Sequence, residues 1–253
     1  VLLAGYKIIA ALLVFLASIA VIYPLRKKHA FKHAESIGLG EALASGIFLG
    51  AAFFHMLPDA ITRFNQIDIH TTYPIPEAIC VLGFLLLLFL ERLSFIRCPD
   101  QPQKYLPYLL VFTLIIHAFT EGAALGLGGT LSETLMLFIA IIAHKSSESF
   151  ALCVSLLRHE LSLNRITSII IFFSIMTPAG IALGTAIDTY ALGTNGQLIA
   201  ASFNAFAAGT FLYISTLHHV HFHKHSKDPQ SMMEFCCLAL GLAAMAMVAL
   251  LGS

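Results

Sequence analysis

Eight apolar runs, each near the roughly 20 residues that cross a hydrocarbon core, divide the chain. They are Leu2 to Tyr23, Glu41 to Leu57, Ala78 to Phe95, Tyr105 to Leu127, Leu135 to Leu157, Ile166 to Ile187, Leu198 to Leu217 and Phe235 to Leu251. Polar residues gather in the links between them. The pattern predicts an all-α, polytopic membrane protein with eight transmembrane helices. The first run is expected to be a retained helix and not a secretory signal, because its basic cluster Arg26, Lys27 and Lys28 follows the apolar stretch instead of preceding it.

The links carry charge asymmetrically. Lys and Arg collect on the cytoplasmic side of membrane proteins. Here Arg26, Lys27, Lys28, Lys32, Arg92, Arg97, Lys104, Arg158, Arg165, Lys224 and Lys227, eleven of the 14 basic residues, fall at or after the ends of odd-numbered spans. The links after even-numbered spans hold Arg63 alone, against Asp59, Asp68, Glu77, Glu133 and Asp188. Both termini are therefore expected outside, and the regular alternation argues that no span has been overlooked.

Composition strengthens the membrane reading. Hydrophobic residues make up 58% and charged residues only 11%, about half the charged share of a soluble domain, with mean hydropathy +0.86. Net charge is zero and no long basic block occurs, which excludes the electrostatic footprint of a nucleic-acid binder. Cys80, Cys98, Cys153, Cys236 and Cys237 lie in or beside apolar runs without a CxxC pair. They are read as buried structural thiols, with neither a disulfide framework nor a thiolate metal site.

Three readily charged side chains nevertheless lie deep inside predicted helices: Glu121 in the fourth, and Lys145 and Glu148 in the fifth. Lys7 and Glu91, nearer helix ends, are expected to reach toward water. At ~2.5–3.5 kcal/mol per charge, three unpaired charges would cost roughly 7–11 kcal/mol, comparable with the stability of a whole domain. The surrounding pattern suggests the compensation. The fourth span contains His117 and Glu121, the fifth His144 and Glu148, each pair four residues apart and so on one helical face. Two imidazoles and two carboxylates converging from neighbouring antiparallel helices supply the four ligands of a tetrahedral Zn²⁺, whose charge offsets both acids. Fe²⁺, Cd²⁺ and Mn²⁺ suit the same nitrogen and oxygen donors, whereas Cu⁺ does not. A second reading stays open: a buried ion pair of Lys145 with Glu148 or Glu121, plus two hydrogen-bonded histidines. It accounts for the lysine but not for the repeated His/Glu spacing. Gly122, Ala123, Ala124, Gly126, Gly128 and Gly129 follow the first pair and suit close helix packing in lipid.

The stretches FFHMLPDA, HAFTEGAALG, HKSSES, TPAGIALG and FAAGTFLY, in the second, fourth, fifth, sixth and seventh spans, resemble those of the ZIP (Zrt-, Irt-like) family of divalent metal ion transporters along essentially the whole chain. The resemblance implies one transporter domain over residues 1–253, with inverted three-helix repeats flanking a central helix pair. It also implies import of a divalent metal into the cytosol by alternating access, spans one, four, five and six moving against two, three, seven and eight. His117, Glu121, His144 and Glu148 match the family's primary transport site. Three positions depart from its two-metal pattern: Ala118 stands where two-metal members have Asn, Lys145 where they have an acid, and Thr177 where they have Glu. A single-metal centre is inferred, with the Lys145 ammonium taking part of the space and charge of the second ion. Thr120 and Ser147 replace prolines that usually precede the motif glutamates, so a proline kink there is not expected.

Secondary candidates are His55 and Asp59, read as lying four apart at the outer end of the second span, interrupted by Pro58. They could receive metal or simply face water at a helix terminus. Asn204 and Ser202 could meet the passing ion or bond helix to helix. The tract His218 to His225, with His219, His221 and His223, could collect metal on the cytoplasmic side or be a solvated loop. Rival classes are an intramembrane metal-dependent hydrolase, which would need an open coordination position and a base and shows no HExxH, and a metal-sensing bundle. A homodimer and a plasma or inner-membrane location complete the expectations.

Overall fold

The computed structural model describes residues 2–26, 34–66, 72–97, 106–159, 161–190, 193–220 and 229–250. Among them the chain is helical, without strands. The first span comprises α1 (Leu2–Ile19) and a short α2 (Ile22–Arg26). The second comprises α3 (Ala34–Ala51), a π-helical turn (Ala52–Met56) and α4 (Leu57–Gln66). The remaining six are α5 (Ile75–Arg97), α6 (Leu106–Leu127), α7 (Leu131–Arg158), α8 (Leu163–Tyr190), α9 (Gly193–Val220) and α10 (Pro229–Leu250). Six stretches are long and apolar enough to cross a membrane: Leu2–Arg26, Ile37–Gln66, Leu110–Leu127, Thr134–Arg158, Leu163–Ile187 and Ser231–Leu250. With α5 and α9, of 23 and 28 residues, the described residues contain eight helices of spanning length.

Proline chemistry explains the two irregular spans. Pro24 crowds the carbonyl four residues back, and Ala20 O instead accepts from Tyr23 N–H at 3.2 Å, where α1 ends. Pro58 likewise offers no N–H to Phe54, yet the second span does not stop there. The backbone widens ahead of the proline, Leu57 N–H donating to Ala52 O across the π turn, and the helix runs on to Gln66. This corrects the expected outer end at Leu57: His55 lies inside the widened turn and Asp59 in a continuous helix.

Helix pairing has an exchange symmetry. Exchanging spans one to three for six to eight, and four for five, maps the α3–α10 contact onto α9–α5 and the α6–α8 contact onto α7–α1, and all four contacts are present. This is the packing of inverted three-helix repeats around the α6–α7 pair. Three pairs approach through glycine. A β-carbon on Gly122 would overlap Thr177 O of α8, one on Gly209 would overlap Cys80 O of α5, and one on Gly46 would overlap Leu238 O of α10. Where helices in lipid are held by contact and not by exclusion of water, such backbone proximity is what fixes them together.

The apolar exterior belongs to the bilayer: Leu82, Phe89, Phe112, Phe172 and Leu240 are all more than half exposed. Cys80 and Cys153 are buried as expected, whereas Cys236 is exposed on α10. Lys7 and Glu91 do not reach out to water; they are 4% and 5% exposed. Lys7 Nζ donates to Gly126 O at 2.6 Å, in the last turn of α6, where carbonyls lack helical partners and a cation is favoured.

Candidate metal centre

The two His/Glu pairs meet. On α6 and α7 the spacing of four residues turns each imidazole and carboxylate to a shared face, and the faces oppose one another at the middle of the bundle. His117 Nε2 lies 3.8 Å from Glu121 Oε1 and 3.3 Å from Glu148 Oε1. His144 Nε2 lies 2.6 Å from Glu121 Oε1 and 3.3 Å from Glu148 Oε1. One ligand atom from each of the four residues falls within 4.8 Å of all the others, and all four residues are buried. A tetrahedral ion about 2.0 Å from each donor holds its ligands about 3.3 Å apart. Two of the four His–Glu distances already have that value; the His144 hydrogen bond to Glu121 must lengthen, and the His117–Glu121 separation must shorten, each by a fraction of an ångström.

Lys145 occupies the other side of the same carboxylates. Its Nζ donates to Glu148 Oε2 at 2.7 Å and lies 3.7 Å from Glu121 Oε2. Each acid thus gives Oε1 to the imidazoles and Oε2 to the ammonium. The ion pair and the ligand cluster, alternatives at the level of sequence, are built together. The Phe173 ring of α8 lies beneath the ammonium, 4.7 Å from Nζ to its centroid, a contact that favours the cation. Thr177 is fully buried on the same helix, and its Oγ1 has no hydrogen-bond partner among the described residues.

Packing around the imidazoles was not foreseen. Phe211 of α9 lies 4.4 Å from the His117 ring and 6.0 Å from the His144 ring, centroid to centroid, and packs tilted against Phe48 at 4.9 Å. Phe211 belongs to the FAAGTFLY stretch, but only the fold brings it to the centre. Thr120, at the position where the family resemblance would place a proline, donates its hydroxyl to Ile116 O and His117 O, both at 3.0 Å, and α6 is unbroken there.

The secondary candidates divide. His55 is brought near, its ring 6.4 Å from that of His144. Asp59 is not in the cluster: its Oδ2 accepts from Arg63 Nε at 2.9 Å and from Asn204 Nδ2 at 2.6 Å. Asn204 therefore bonds helix to helix, and Ser202 donates to Leu198 O in its own helix at 2.8 Å. In the histidine tract, residues 221–225 and the side chains of His218 and His219 lie outside the described residues.

Comparison with known proteins follows the same lines. A family model described as "ZIP Zinc transporter" matches residues 1–107 and 97–249. "Zinc transporter ZIP1" of Takifugu rubripes is 28% identical over 266 residues, covering 87% of this chain and 87% of the relative. "Zinc transporter ZIP2" of Homo sapiens is 28% identical over 269 residues, 86% of each chain. "Zinc transporter ZIP1" of Mus musculus is 27% identical over 259 residues, 84% of this chain and 80% of the relative. The chain belongs to the ZIP zinc transporter family, a family of transporters and not of enzymes.

Proposed function

We propose that this chain imports Zn²⁺ into the cytosol through one intramembrane site formed by His117, Glu121, His144 and Glu148. The observation that carries the reading is the convergence of four nitrogen and oxygen donors within 4.8 Å on two membrane helices. A dication there offsets the carboxylate charge that Lys145 leaves uncompensated in lipid. Relatives named as zinc transporters make zinc the first cargo; Fe²⁺, Cd²⁺ and Mn²⁺ share its ligand chemistry.

The cycle begins with zinc arriving from outside past Asp59 and His55, and His55 hands it toward His144, its ring neighbour. The ion settles among the four ligands while Lys145 stays on the outer oxygens of both acids, so one metal is carried per chain. Two sets of helices then move against each other, α1, α6, α7 and α8 against α3, α4, α5, α9 and α10. Support comes from the glycines: each one whose β-carbon would strike the backbone of another helix does so within one set, among the described residues. A dication crossing an inside-negative potential gains about 4.6 kcal/mol per 100 mV, enough to drive import without nucleotide hydrolysis. The whole chain acts as one transporter domain in the cell membrane with both termini outside, as the loop charges argue.

The test is uptake of radiolabelled zinc into proteoliposomes by the intact protein, His144→Ala and Glu148→Ala. Both substitutions should reduce flux to the level of empty liposomes; equal flux in all three preparations would defeat the site.

A further inference from the structure

The seam between the two helix sets is built differently from their interiors. Inside each set, helix backbones touch at glycine. Across the seam, no described glycine meets the backbone of the other set. A cavity of about 120 Å³ separates α6, at Ile116, His117 and Thr120, from α5 and α9, at Leu87 and Ala207. On the other flank the tip of the Phe150 ring of α7 comes so close to Gly40 of α3 that a β-carbon there would overlap it. One residue further along α3, Glu41 is 4% exposed and accepts from Arg158 Nη2 at 2.6 Å. Arg158 is the last residue of α7, ten residues beyond Glu148 and so about 15 Å along the helix from the metal centre.

We infer that the Glu41–Arg158 pair is a latch holding the seam closed at the cytoplasmic end of the transport path. The inference rests on the import reading for its sidedness and cargo. Loss of water disfavours the charge of a carboxylate buried at the seam, and a cation beside it offsets part of that cost. Glu234 of α10 adds a second negative charge in its electrostatic neighbourhood, which the Arg158 guanidinium helps to offset. Arg158, by contrast, is 40% exposed and can stay hydrated when α7 moves away. The pair therefore favours the closed seam without trapping it: one partner needs the contact, and the other can leave it for water. Release of metal inward requires α7 to separate from α3 at this point, which couples breakage of the ion pair to opening.

The test uses the full chain in proteoliposomes with its native cysteines replaced and a single cysteine at Ala151. That residue lies on α7 and is 2% exposed, in one apolar cluster with Phe48 and Phe211. A membrane-impermeant maleimide is applied from the side bearing Arg158. R158Q and E41Q should each raise the labelling rate several-fold, R158K should keep the low rate, and the double variant R158Q/E41Q should label no faster than either single one. Unchanged labelling in R158Q, whose exposed position tolerates the substitution, would overturn the latch, as would effects that add in the double variant. His144→Ala flux is measured in parallel. Zinc flux surviving that change would sink the import site, while the labelling contrast judges the latch separately.

Discussion

Lys145 and Glu148, three residues apart on α7, form a 2.7 Å ion pair that uses only one oxygen of the carboxylate; the other faces both imidazoles at 3.3 Å. Glu121 is divided in the same way, with Lys145 3.7 Å from its Oε2. The ammonium is thus a built-in cation beside both acids and helps make them tolerable in lipid. In the proposed cycle it shares these acids with the cargo and repels the arriving metal.

Removing that competitor should strengthen binding and slow release. Lys145→Met is expected to lower the KM for zinc about tenfold, equivalent to about 1.4 kcal/mol, and to lower kcat, because the ion leaves a more negative site. Isothermal titration of the purified protein should still give one zinc per chain. Restoring the ligands of two-metal members, in the variant A118N/K145E/T177E, should raise the count to two. An unchanged KM in Lys145→Met would mean that the ammonium does not act on the cargo.

What could be read from the chain follows from what lipid demands. Spans were legible because a hydrocarbon core tolerates little but apolar side chains for about 20 residues, and the His/Glu pairs because a helix repeats its face every fourth residue. Pro58 misled: with Asp59, Arg63 and Gln66 beyond it, it read as a helix end, and nothing local announces that a π turn will restore the hydrogen-bond register. The division of each carboxylate between imidazole and ammonium was not legible either, since spacing decides which side chains meet but not which oxygen each takes. Phe211 and the Glu41–Arg158 pair, the latter 117 residues apart, depend on packing between distant spans. In the sequence alone Arg158 is legible only as a loop charge marking sidedness.

Phe211 ties the centre to the opposing helix set. It is fully buried and contacts His117, His144 and Phe48. Phe211→Ala should destabilise the protein by about 3–5 kcal/mol through the cavity it leaves, and should loosen both imidazoles. Phe211→Leu, which keeps most of the volume, should retain stability more closely. Thermal unfolding in detergent, followed with zinc flux, separates these outcomes; wild-type unfolding of Phe211→Ala would show that the ring contacts contribute nothing.

The glycine contacts predict a sharp contrast among conservative changes. At Gly209 the added methyl would overlap Cys80 O, whereas at Gly129 it would meet nothing within 4 Å. Gly209→Ala must push α5 and α9 apart along their length, an overpacking cost of at least about 1–3 kcal/mol, and is expected to reduce the yield of folded protein in the membrane. Gly129→Ala should be neutral. Size-exclusion profiles and melting curves of the two variants decide the matter; equal behaviour would remove the case for backbone-locked helix sets.

Asp59 poses the question of how metal reaches the centre. Its Oδ2 is held by Arg63, one turn further along α4, and by Asn204 from α9, so the carboxylate is oriented but also partly neutralised. The Asp59 and Arg63 side chains are 23% and 18% exposed, and an i,i+4 pair of this kind contributes only about 0.3–0.5 kcal/mol. Breaking it should leave folding intact. If Asp59 collects zinc for His55, Arg63→Gln frees the carboxylate and raises kcat/KM, while Asp59→Ala lowers it. The double variant D59A/R63Q should match D59A alone, because the arginine acts only through the acid it screens. Zinc binding at the inner centre, measured at equilibrium, should be the same in all three. If Arg63→Gln changes flux equally with and without Asp59, the arginine acts on the ion directly as a fixed positive charge, and Asp59 has no part in capturing metal.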